Sequence, residues 1–283
     1  MGAMALGRRH KILWIVAGVA AVAVVLAVAA PFVYIHFIEG PPPQKLQLPA
    51  VRTTTSTTPR GPAGSSAPDS SASGLDGTWN VGRGSLAGYR VQEVLIGQST
   101  TAVGRTSSVW GSLTLTGSTV TKASFSVNMA SVISDQSQRN AQFDGRIMDV
   151  AQYPTATFTL TSPIDLGTIP ANGAVGHYTA TGTLAMHGVT KTVTFPVSAE
   201  VAGDEIDVLA DVTIQFADWN IANPSIGGFV TTADSGTLEV LLDLTQGQGN
   251  APSSSSGSNG FVGGGGPVTV PSTTVPPLSV PNG

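Results

Sequence analysis

The 283-residue chain has no cysteine, which removes disulfides, thiolate nucleophiles, Cys-ligated zinc and a lipid-modified cysteine together. Charge is scarce: Asp, Glu, Lys and Arg make up 11% of the residues, and aromatics 6%. Over residues 76–246, seven Lys/Arg stand against fifteen Asp/Glu, a balance of −8. A surface that tracks phosphates needs the opposite sign, so no nucleic acid partner is expected. Only His177 and His187 fall in that region, with neither a Cys partner nor a carboxylate at ligand spacing. No G-x-S-x-G elbow occurs, and Gly82-Arg83-Gly84-Ser85 misses both that spacing and the dinucleotide glycine pattern. Asp204, Glu205 and Asp207 read as a solvated hairpin tip with too few oxygens for calcium. No catalytic residue, metal or cofactor is therefore expected.

What is present begins with an uncharged run. From Ile12 to Ile38 there is no Asp, Glu, Lys or Arg, and the stretch is mostly Ala and Val with Leu and Ile. At about 1.5 Å per residue, Ile12 to Ala30 alone approaches the ~30 Å hydrocarbon thickness of a bilayer. Arg8, Arg9 and Lys11 precede it with no matching cluster after it, which places residues 1–11 in the cytoplasm and the rest of the chain outside. The run 12–38 is expected to be a single-pass signal-anchor in the cell membrane. The alternative is a cleaved signal peptide, for which Ala27-Val28-Ala29 fits the cleavage pattern, although its apolar core is longer than such a region requires.

Residues 39–75 are rich in Pro, Ser and Thr without hydrophobic periodicity and read as a disordered tether. As a flexible coil of about 37 residues it would hold the domain roughly 30–35 Å from the bilayer. Residues 247–283 are a second Gly/Ser/Pro-rich tail. Its Gly263 to Gly266 run lacks the flanking strand and helix of a phosphate loop.

Only the central 76–246 can bury a core. Strand patterns recur through it at Tyr89–Ile96, Val109–Thr116, Val120–Met129, Ala156–Thr161, Ile206–Phe216 and Thr237–Leu244. Ser134 to Val150 breaks the alternation and predicts a short helix entered at Ser134 or Asp135, with Phe143 and Ile147 on one face. The clearest stretch is Tyr178 to Val201. Tyr178, Ala180, Gly182, Leu184 and Met186 alternate along one strand, and Val193, Phe195, Val197, Ala199 and Val201 along its return. His187-Gly188 between them reads as the turn, not as part of a site.

That hairpin carries Leu184-Ala185-Met186-His187-Gly188-Val189-Thr190-Lys191, which resembles the G-x-L-T-x-H-G-V-T-K segment of the YceI family of extracytoplasmic, lipocalin-like isoprenoid-binding proteins. Gly77 to Val81, Ala123 to Arg139, Tyr153 to Phe158 and Gly236 to Leu244 follow that family's order, so the resemblance covers about 76–246. The chain departs from it at Gly84 to Glu93, where many members carry a His-Ser-x-x-x-F-x-V-x-H opening. The resemblance implies an all-β fold, an antiparallel eight-stranded lipocalin-like barrel partly covered by one short helix, here preceded by the transmembrane segment. It implies a polyisoprenoid ligand, a quinone or polyprenyl phosphate, and leaves a homodimer open.

A barrel of this size is either filled by its own side chains or holds a ligand. Small inward residues, Ala123, Ala156, Ala180, Gly182, Ala199 and Ala210, favour the second. The expected apolar lining is Phe125, Val127, Met129, Phe143, Ile147, Phe158, Tyr178, Leu184, Phe195, Val197, Val212, Ile214 and Phe216. The expected head-group cations are Arg90, Arg105 and Arg139. Two other readings compete: an enzyme on envelope lipids, which needs His177, His187 and a carboxylate to converge, and a ligand-free β-sandwich adhesion or cell-wall module with a packed interior.

Overall fold

The computed structural model describes residue 14 and residues 16–25, 42–49, 74–134, 136–228 and 230–247. In chain order the strands are β1 (Gly77–Val81), β2 (Leu86–Leu95), β3 (Gln98–Thr106), β4 (Val109–Thr116), β5 (Thr119–Asn128), β6 (Ile133–Ser134) and β7 (Thr155–Leu160). They continue with β8 (Ile164–Asp165), β9 (Val175–Met186), β10 (Val189–Ala202), β11 (Glu205–Gln215), β12 (Val230–Thr232) and β13 (Ser235–Gln246).

Eight of these form a ring. The hydrogen-bonded order β1-β4-β5-β7-β9-β10-β11-β13 returns to β1, every pair antiparallel. β1 and β2 are two lengths of one stave: Val81 faces Leu244 and, after the break at Gly82 to Ser85, Leu86 faces Leu241 on the same β13. β3 and β4 make a second stave broken at Ser107-Ser108, so the β2–β3 ribbon rises above the ring at one end, called here the upper end. Closure disposes of the sheet edges that a sandwich would leave, and the β-sandwich reading falls with it.

Turn chemistry sets the strand order. His187 and Gly188 both take positive φ, 49° and 73°, the backbone of a tight two-residue hairpin turn that matches strand twist. The β9–β10 pairing then runs unbroken from Met186–Val189 to Val175–Glu200. The turn is pinned from below: His187 Nδ1 lies 2.9 Å from the Trp219 carbonyl, and Lys191 pairs with Asp218 and sits over the Trp219 ring.

The helix starts later than expected. α1 spans Ser137–Gln142 with Gln136 as N-cap and no side-chain cap, while the Ser134 hydroxyl donates to Asn140 and accepts from the Gln136 N–H. Asp135 lies outside the described residues. α1 runs into a π-helical turn, Phe143–Ile147, where Met148 N–H reaches the Phe143 carbonyl at 2.9 Å. The wider turn drops Phe143 into the upper end of the barrel, stacked on Tyr89 with ring centroids 5.2 Å apart.

Two apolar clusters lie toward the two ends. Trp79, Val81, Leu115, Ile206 and Leu244 pack at the lower end, and Met129, Phe143, Leu184, Phe216 and Trp219 at the upper.

Residues 42–49, assigned by composition to the tether, lie on the outer wall. Arg90 Nη2 donates to the Pro43 carbonyl at 2.7 Å, Arg105 Nη2 donates to the Gln44 carbonyl, and Lys45 pairs with Asp211 at 3.6 Å. This stretch is a strap laid across β2, β3, β13 and β11.

At the N-terminus residues 16–25 are helical. No helix among the described residues is long and apolar enough to cross a membrane. The rest of 12–38 lies outside the described residues, as do 1–11, most of 39–75 and 248–283.

Candidate functional site

Inward alternation along the staves lines a continuous cavity of about 750 Å³, within the ~300–1,000 Å³ range of small-molecule sites. It extends from Leu75, Ile164 and Ile169 at the lower end to Leu95, Ile226 and Val230 at the upper. All thirteen residues expected as apolar lining border it. Phe125, Val193, Phe195, Val197, Leu238 and Val240 face inward from continuous sheet yet are only half-buried, because the space in front of them is unfilled.

Of the small inward residues, Ala123, Ala156, Ala180, Ala199 and Ala210 border the cavity. Gly182 acts differently. A Cβ there would sit 2.5 Å from the Phe158 ring and closer still to the Thr159 carbonyl oxygen, so its missing side chain makes room for the backbone of β7 and for Phe158, which meets Phe195 edge-on at 5.2 Å. The glycine shapes the wall and leaves no space for a ligand.

Polar lining gathers at the upper end. Glu93, Gln136, Gln138, Arg139, Gln142 and Arg146 border the cavity there, where α1 crosses the opening. Arg139 Nη2 bonds Glu93 at 2.8 Å, with both side chains largely buried. Arg146 donates to Gln142 and, at 2.9 Å, to the Pro224 carbonyl. Tyr178 places its phenol on the wall further down, and burial raises that group above the ordinary tyrosine pKa.

The three expected head-group cations separate. Arg139 is at the mouth. Arg90 and Arg105 alternate with the inward Tyr89 and Gly104 and therefore point outward, where both grip Glu239 at 2.9 and 3.1 Å under the strap. Glu239 is 0% exposed. These two arginines neutralise a buried carboxylate and do not border the cavity. Arg90 and Glu239 each sit between inward apolar neighbours, a periodicity that argued against the head-group role expected of Arg90; their shared register carries no mark in the sequence.

The groups needed for catalysis on lipids stay apart. His177 lies near the start of β9 with its ring on Ser198, and His187 follows the end of the same strand, about 30 Å away at the rise of a β-strand. Among the described residues no group of three or more His, Asp or Glu could hold a metal ion. Asp207, expected in a solvated turn, is instead within β11, 5% exposed and opposite Glu200. The strand begins at Glu205, so only Asp204 and Glu205 belong to the exposed tip.

A closed antiparallel barrel with an apolar interior space and one polar mouth belongs to the class of small β-barrels whose interior leaves room for a ligand. The YceI-like domain family matches residues 79–244, and the chain belongs to that family. Among solved structures it resembles a polyisoprenoid binding domain from Saccharophagus degradans, at 16% identity and a TM-score of 0.49 over 60% of this chain and 98% of that one. It also resembles BcnA of Burkholderia cenocepacia, at 22% identity and a TM-score of 0.46 over 58% and 98%. A third is the Campylobacter jejuni YCEI protein, at 16% and 0.36 over 48% and 80%. No curated protein matches the chain.

Proposed function

We propose that this protein is an extracytoplasmic, membrane-anchored lipid-binding protein that holds or exchanges a polyisoprenoid of the quinone or polyprenyl phosphate type. The observation that carries the reading is the cavity itself: inward aromatic and aliphatic side chains left half-buried around about 750 Å³. Withdrawing one five-carbon unit from water is worth roughly 4 kcal/mol at ~0.8 kcal/mol per carbon, so two or three units outweigh the cost of association. A lipid in a bilayer has already made that gain. Net transfer then depends on fit and head group, which suits reversible exchange better than storage. The sequence of 12–38 supports the anchor, and the position of Arg139 on the cavity lining at the mouth supports an anionic head there.

Native mass spectrometry of the full chain from its own host should show a bound lipid, and an isoprenoid quinone should raise the melting temperature. No bound lipid together with no shift would end the proposal. For the head group, Arg139→Glu should abolish the shift caused by a polyprenyl phosphate while sparing that of the quinone. Equal loss for both would remove Arg139 from that role.

A further inference from the structure

Beside the cavity mouth the protein exposes apolar side chains where a hairpin would ordinarily be polar. The β2–β3 turn is Ile96-Gly97, both at positive φ, 49° and 80°. A β-branched residue is poorly suited to that backbone, which asparagine, aspartate or glycine fills without strain. Ile96 is nevertheless 51% exposed, so no packing offsets the strain. Val94, just before it, is 38% exposed, and Ile226 is 46% exposed. Ile226 bridges to Val230, which pairs with Leu95, so these residues lie within about two strand spacings, ~10 Å, of one another. Leu95, Ile226 and Val230 also border the cavity. The exposed rim and the inner wall are thus one apolar surface. Arg146, held against the Pro224 carbonyl, puts a cation beside it.

The strap supplies the second argument, which rests on the membrane anchor proposed above. With residues 43–45 fixed to Arg90, Arg105 and Asp211, a span ending at Ile38 would leave only residues 39–42 between it and the barrel wall. Fully extended, these reach at most ~14 Å, well short of the 30–35 Å expected of an unstrapped tether. From Arg90, where the strap is held, β2 runs six residues further to Ile96, about 20 Å at the rise of a strand. The β2–β3 tip is therefore within reach of the bilayer, and an occupant that rewards exposed Ile without a shaped pocket is lipid.

We propose that Val94, Ile96 and Ile226 form a lip that inserts into the bilayer surface beside the cavity mouth, giving an apolar guest a path from membrane to barrel that avoids water. Arg146 meets anionic lipid head groups at the same edge.

The cysteine-free chain allows a direct test. Ile96→Cys, Ile226→Cys and, as a control at the opposite end of the barrel, Val175→Cys are each labelled in the full chain with an environment-sensitive fluorophore. The proteins are reconstituted in phosphatidylcholine–phosphatidylglycerol vesicles containing brominated acyl chains. The labels at 96 and 226 should shift to the blue and be quenched, and the label at 175 should do neither. Val94→Asp combined with Ile96→Asp, neither of which borders the cavity, should slow transfer of an isoprenoid quinone between vesicles while leaving the melting shift caused by that quinone in detergent unchanged. Quenching at 96 and 226 no stronger than at 175, or transfer unaffected by the double variant, would overturn the lip. Absence of the quinone shift in the unsubstituted chain, together with no lipid in its native mass spectrum, would instead overturn the lipid-binding reading, whatever the fluorophores report.

Discussion

Gly182 shows how a single missing side chain can decide the shape of a cavity. A methyl group there would meet the Phe158 ring at 2.5 Å and the Thr159 carbonyl oxygen closer still, and of the two only the ring, which borders the cavity, can move aside. Gly182→Ala should therefore destabilise by about 1–3 kcal/mol, lowering the melting temperature by roughly 2–4 °C per kcal/mol for a domain of this size. Adding Phe158→Leu should recover part of that loss; a double variant no more stable than the single one would show that the crowding lies elsewhere. Gly104 beneath Tyr89 repeats the arrangement. Such pairs were only half legible. The inward position of Gly182 follows from alternation, but the sequence does not say which ring across the sheet will use the space. His187 was legible in full, since His-Gly between two alternating runs is a turn by its own chemistry, and φ of 49° and 73° is what that turn requires.

At the scale of elements, the strap is held by charge. Glu239 is fully buried, and the Arg90 and Arg105 side chains that reach it are 11% and 24% exposed. Both arginines also hold carbonyls of Pro43 and Gln44. Removing the carboxylate charge leaves two cations crowded on a poorly hydrated wall, a loss of roughly 2–3 kcal/mol given that both reach solvent. In Glu239→Gln the strap should loosen before the barrel does, and trypsin should cut after Lys45 faster than in the unsubstituted chain at a temperature where the barrel stays folded. An unchanged cleavage rate would show that the strap is held by other contacts.

The strap escaped sequence reasoning because its fixing groups are backbone carbonyls, which composition cannot rank. β3 escaped for a related reason. Gln98-Ser99-Thr100-Thr101 has no apolar alternation, since this ribbon stands above the ring with little core to cover. The delayed start of α1 follows from Ser134 being held in β6 opposite Gly104, with its hydroxyl shared between Asn140 and the backbone of Gln136.

For the molecule as a whole, the all-β character and the inward-facing residues could be read from alternation and turns, because one buried face fixes the register of every strand, whereas the closed eight-stranded barrel was what the resemblance to the YceI family implied. The outward arginines could be misassigned because a cation near a strand centre carries no mark of the partner that will neutralise it. Whether the interior would be solid or hollow was the least legible property, since it depends on volumes summed over all eight staves.

The seam of the ring has a further consequence. Trp79 pairs with Gln246 and Val81 with Leu244, so the first strand waits for the last. Contacts between such distant parts of a chain make folding slow, on the millisecond-to-second scale of β-rich domains. Until β13 arrives, β1 and β4 cannot complete the ring. For the exported chain proposed here, that delay is useful: the domain cannot lock into shape while its C-terminal strand is still inside the cell, and a chain that has not locked is one that can still be threaded through a narrow export channel.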